Sequence, residues 1–137
     1  MIDGTDDAVN PYSGGDVVLP EALGGQFLGR VLSSPATAER LASLAGHSAP
    51  PWISDGRGVD GDPATRVRRR LWKEAGRPTV AFLEIVGGGH TIPRKNVPFP
   101  ESVGRQTREI DAPLEAWRFF ISRDGGQGAA VGSHSSH

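Results

Sequence analysis

The stretch from Thr79 to Val86 constrains this chain more than any other, because every residue in it except Thr79 and Glu84 is apolar. A strand-length run without polar alternation has to be covered on both faces. Gly87-Gly88-Gly89 ends the run and His90 follows at once. Before it, Thr65 to Trp72 alternates, with Thr65, Val67 and Leu71 on one side and Arg66, Arg68 and Arg70 on the other. Lys73 to Pro78 reads as a turn around Gly76. An antiparallel hairpin is expected, with the arginine-rich strand outermost as a solvated edge that deters edge-to-edge pairing.

Two helices are expected. The first covers Pro35 to Ala45, with Ser34 as N-cap, Pro35 at the first helical position and Gly46 at the stop. Its buried stripe reads as Ala38, Leu41, Leu44 and Ala45. The second runs from about Ala112 to Ser122 behind Asp111, with Leu114, Trp117, Phe120 and Ile121 as its buried face. Ser13 to Gly29 reads as irregular, His47 to Pro63 as one long loop, and Thr91 to Thr107 as another. From Asp124 on there is little to bury, so one domain over residues 1–123 and a disordered tail over 124–137 are expected.

Composition narrows the function classes. Lys and Arg total 15 against 16 Asp and Glu, a formal charge of −1, so neither nucleic acid nor an anionic membrane is expected as the main partner. There is no cysteine, which removes disulfides, thiolate metal sites and a cysteine nucleophile. No apolar run reaches the roughly 18 residues of a membrane span. The first residues, Met1-Ile2-Asp3-Gly4, carry no signal-peptide pattern and read as the last residues of a strand. Gly 19 and Pro 11 make loops a large part of the molecule.

In open α/β sheets functional groups gather on loops at the carboxyl ends of strands. His90 stands on such a loop, and the turn from Gly4 to Tyr12 brings Asp6 and Asp7 to a second. A carboxylate there can accept the imidazole Nδ1 proton and fix the tautomer. Asp7 competes for that role with Asp3 and Asp6, and the plain alternative for each is an Asx turn. Asp6, Asp7 and His90 as metal ligands, and the Arg66 to Lys73 run as a phosphate-backbone contact, are the weaker readings. His47 reads as structural, while His134 and His137 carry no assignment.

Gly4-Thr5-Asp6-Asp7-Ala8-Val9-Asn10-Pro11-Tyr12-Ser13-Gly14-Gly15, followed by Gly87-Gly88-Gly89-His90-Thr91-Ile92-Pro93, resembles the poly(3-hydroxybutyrate) depolymerase and feruloyl esterase group. These are α/β-hydrolases with a Ser, Asp, His triad. The resemblance extends from about Met1 to Phe120 and matches the C-terminal part of such an enzyme. It implies an incomplete, loop-rich α/β-hydrolase sheet closed by a C-terminal helix. Asp7 falls on the triad acid and His90 on the base, and Asp111 to Phe120 matches the family's last helix. It also implies hydrolysis of a small-molecule or polymeric carboxylic ester, without a cofactor. Members of the group are often exported.

Two departures matter. The nucleophile elbow Gly-x-Ser-x-Gly does not occur in the 137 residues. The expectation is therefore a chain that supplies acid and base but not the serine and is inactive alone. The alternative is a non-catalytic fragment or docking half whose partner chain carries the elbow. Where the family often has an aromatic residue and then Pro-Gly after the histidine, Ile92-Pro93-Arg94 stands here, exchanging an aromatic platform for a positive charge. With two or three strands and an open edge, marginal folding and self-association through that edge are expected.

Overall fold

The computed structural model describes residues 1–59 and 64–124. Part of the loop expected over 47–63, and all of the expected tail beyond Asp124, lie outside the described residues. In chain order the strands and helices are β1 (Ile2–Gly4), β2 (Gly15–Val18), β3 (Phe27–Val31), α1 (Ser34–Leu44), β4 (Trp52–Asp55), β5 (Arg66–Glu74), β6 (Arg77–Val86) and α2 (Ala112–Asp124). Short 3-10 turns occupy Glu21–Leu23 and Glu101–Val103.

One mixed sheet has the strand order β1-β6-β5-β4, with β1 parallel to β6 and the other pairs antiparallel. Helices and a mixed sheet together are compatible with the expected α/β class. β6 lies between two neighbours, and Phe82, Leu83, Glu84 and Ile85 on its two faces are all buried. Ala75 and Gly76, both at positive φ, turn β5 into β6 with Glu74 paired to Arg77, the geometry a two-residue hairpin loop prefers.

Two small cores lie on opposite faces of the β5–β6 hairpin. On one face Trp72 and Phe82 pack under Ala38 and Ala42 of α1, with Tyr12 and Val80 beside them. On the other, Val67, Leu83 and Ile85 pack with Ile110, and Ile2 of β1 closes the cluster. The carboxylate of Glu115 on α2 stands 3.9 Å from Arg69 on this second face.

Several local expectations are corrected. The arginine-rich strand is not outermost: β4 pairs along its far side, Trp52 opposite Leu71 and Asp55 opposite Arg68. Three of its arginines have carboxylate partners, including Arg68 with Asp55 at 2.7 Å and Arg70 with Glu84 at 2.6 Å. The segment read as irregular from Ser13 contains the antiparallel β2–β3 hairpin, and the sheet has four strands rather than two or three. Ser33, not Ser34, caps α1, accepting from the Ala36 amide at 3.2 Å. Ser34 is buried instead and donates to the Asp3 carboxylate.

Of the expected helical stripes only Ala38 of α1 is buried. α1 buries Ser34, Ala38 and Ala42 while Leu41 and Leu44 are exposed. On α2 the four apolar residues Leu114, Trp117, Phe120 and Ile121 are exposed, and Ala112 is buried. Asp111 does cap α2, accepting from the Leu114 amide at 3.2 Å. His47, read as structural, has its Nε2 2.5 Å from the Thr79 hydroxyl. No helix among the described residues is long and apolar enough to cross a membrane.

Candidate functional site

The parallel pairing of β1 with β6 brings the chain's first loop and the glycine run to the same end of the sheet. Past Gly4 the two loops are hydrogen-bonded together. The Thr5 amide donates to the Ile85 carbonyl at 3.0 Å, and the Asp6 amide to the Gly88 carbonyl at 2.9 Å. The Gly87 amide donates to the Thr5 hydroxyl at 2.8 Å. Such an approach needs glycine at Gly4, where a Cβ would stand 2.2 Å from the Gly88 carbonyl oxygen.

This clasp sets Asp7 against His90. His90 Nδ1 lies 2.8 Å from Asp7 Oδ2. Asp7 Oδ1 accepts from the amides of Val9 and Asn10, each at 2.8 Å. The carboxylate thus closes its own turn with one oxygen and meets the imidazole with the other. The Asp7 side chain is 3% exposed and that of His90 51%. A carboxylate held by two amides is a strong, oriented acceptor, and with Nδ1 as its donor the neutral ring presents Nε2 as an open acceptor. Among the described residues Nε2 has no hydrogen-bond partner.

The histidine loop is fixed from its other side as well. The His90 amide donates to the Val103 carbonyl at 2.7 Å and the Gly89 amide to that of Arg105 at 2.9 Å. A Cβ on Gly89 would stand 2.4 Å from the Val103 carbonyl oxygen, so the loop needs glycine there too.

The competing carboxylates are placed elsewhere. Asp6 is exposed and accepts from the Thr5 hydroxyl at 3.0 Å. Asp3 is engaged by Ser34 and its own loop, and burial, first of several causes, raises its carboxyl above the ordinary value. No group of three or more His, Asp or Glu among the described residues is arranged to hold a metal ion.

Sequence reasoning missed the anchor of the acid loop's far end. The Tyr12 hydroxyl donates to Glu84, and Arg70 pairs with the same carboxylate through Nε at 2.6 Å and Nη2 at 3.2 Å. Burial pushes the Glu84 carboxyl up, but the hydrogen bonds from Arg70 and Tyr12 outweigh it and hold it below the usual range. The Tyr12 hydroxyl is raised in turn, by burial and then by Glu84. The available signal was Glu84 itself, the one carboxylate in the apolar run, with arginines alternating on the neighbouring strand.

No family model, no curated protein and no solved structure matches this chain.

Proposed function

We propose that this chain supplies the acid and base of a serine carboxylester hydrolase, of the polyhydroxyalkanoate depolymerase or feruloyl/acetyl esterase type. The nucleophilic serine would come from outside these 137 residues. The observation that carries the reading is the 2.8 Å contact between His90 Nδ1 and a buried Asp7 carboxylate that two backbone amides already orient. The four-stranded sheet with a helix on each face is compatible with the C-terminal part of an α/β-hydrolase.

In the proposed reaction His90 Nε2 takes the proton of the serine hydroxyl as its oxygen attacks the ester carbonyl. The imidazolium, stabilised by ionised Asp7, returns that proton to the leaving alcohol as the carbon–oxygen bond breaks. Water then attacks the acyl-serine with His90 again as base, releasing the acid and restoring the hydroxyl. A second reading is a docking half in which another chain supplies the elbow. It is favoured by β1, which pairs with β6 on one side and has no strand on the other among the described residues.

The test is fluorophosphonate labelling followed by intact mass. The chain alone should take no adduct. A longer product of the same reading frame, or a co-expressed partner, that contains Gly-x-Ser-x-Gly should take one, on that serine. Asp7→Asn should then lower its esterase turnover by roughly 10⁴-fold, as the loss of a triad acid does. His90→Ala should abolish labelling. Labelling and turnover indifferent to both substitutions would refute the proposal.

A further inference from the structure

Beside the histidine loop lies an open groove of about 1180 Å³ whose walls carry Arg94, Lys95, Arg105 and Arg108 against one carboxylate, Glu101. This concentration of cations occurs in a chain of formal charge −1. Arg68, Arg69 and Arg70 of β5 are each paired with a carboxylate. The four groove cations have no ion pair among the described residues; nearby in sequence, Glu109 is turned to Arg69 and the Val67 amide, and Asp111 caps α2.

The groove is built rather than splayed. Gln106 Nε2 donates to the Arg94 carbonyl at 2.9 Å, and its Oε1 accepts from the Phe99 amide at 3.2 Å, clasping the loop that carries Arg94 and Lys95. That loop is tied to the base of α2 by the Ala112 amide, which donates to the Pro93 carbonyl at 2.7 Å. The opposite wall is joined to the dyad, since the Arg105 carbonyl accepts from Gly89 and the Val103 carbonyl from His90 itself. These bonds fix the backbone from which the four exposed cations project; like charges gathered along one groove attract an anion, and arginine suits a carboxylate because its guanidinium binds two oxygens at once.

We infer that the substrate is an ester bearing a carboxylate away from the scissile bond, held by the Arg94, Lys95, Arg105 and Arg108 groove. This rests on the esterase reading and names its substrate class. One exposed charge contact gives less than a tenfold preference, so at least about tenfold for the anionic ester over its neutral analogue is expected from two or more of the four cations acting together.

The test is an NMR titration of the isotope-labelled 137-residue chain with monomethyl adipate and, separately, dimethyl adipate. The half-ester should bind at least tenfold more tightly, shift the Arg105 and Arg108 Nε–H signals, and weaken as sodium chloride is raised. In an R105Q/R108Q variant the preference should vanish while the His90 ring signals stay in place. Equal affinities, a preference retained in that variant, or shifts confined to other arginines such as Arg77 would overturn the inference. Because binding is read without turnover, the two claims fail separately. A half-ester preference in a protein that hydrolyses nothing leaves the groove standing without the esterase. Equal hydrolysis of both esters by an elbow-containing form leaves the esterase standing without the groove's role.

Discussion

Gly4→Ala tests whether close contact between two loops assembles the site. The added Cβ would stand 2.2 Å from the Gly88 carbonyl oxygen, 2.6 Å from its carbon and 2.6 Å from the Gly89 carbonyl oxygen. Cβ atoms essentially never come within 3.0 Å of such atoms, so the loops must part by about 0.8 Å. No side chain is there to swing aside, because all three neighbours are backbone. Overpacking of this kind costs roughly 1–3 kcal/mol. Loss of the 2.9 Å bond from the Asp6 amide to Gly88 adds about 1 kcal/mol. A loss of about 2–4 kcal/mol is therefore expected, a large share of the roughly 5–15 kcal/mol typical of a domain. Transmitted in full, the shift opens the 2.8 Å Asp7–His90 contact to about 3.6 Å, no longer a hydrogen bond. Urea unfolding gives the first quantity, and the His90 Nδ1–H signal in ¹⁵N-resolved NMR reports the second. A variant within about 0.5 kcal/mol of the parent with that signal unmoved would refute the reasoning, since differences of that size are typical of a neutral surface change.

Glu84→Ala should cost about 3 kcal/mol in urea unfolding, the low end for breaking a buried pair because Arg70 keeps some solvent; a loss below 1 kcal/mol would show that the Tyr12–Glu84–Arg70 cluster is not an anchor. Glu84 also sets an acid limit. Its folded carboxyl lies below the ordinary value of 4.5, so its stabilisation is complete above that pH and is lost as pH falls through the folded value. Glu84→Gln should flatten this limb of a stability–pH curve. Asp3 has the opposite sign: its folded carboxyl is raised above 3.8, so Asp3→Asn should stabilise the chain at neutral pH, and a loss there would contradict the burial cause. Finally, the β4 edge exposes Trp52 and Ile53, so the chain should self-associate in sedimentation velocity, and Ile53→Lys should reduce this by charging the edge.

What was legible in the sequence was whatever a long, strongly patterned segment declares. The apolar run of β6, broken only by Glu84, reads as a strand covered on two faces, and Asp111 marked the start of α2. The glycines around His90 and the Asp-rich turn marked two loops able to meet, and Asp7 and His90 do meet. Apart from Ala38 the helix stripes failed, because periodicity shows which residues share a side, not how much room the sheet leaves. With Trp72 and Phe82 filling the space under α1, only alanines fit between helix and sheet, and the leucines turn outward. The β2–β3 hairpin and β4 were unreadable for another reason. Most of their apolar side chains are exposed, so no burial pattern was imprinted on segments of four or five residues.

The dyad joins positions 83 residues apart through a first strand only three residues long. The β5–β6 hairpin closes locally, while the loop that must close to dock β1 spans most of the chain, so β1 is expected to add late in folding. A three-residue strand paired on one side only among the described residues is also released at a low free energy. Molecules that have released β1 would keep the hairpin, both helices and nearly all of their circular dichroism, yet have no partner for His90. Under mild heat or denaturant, competence at this site should therefore disappear before secondary structure does.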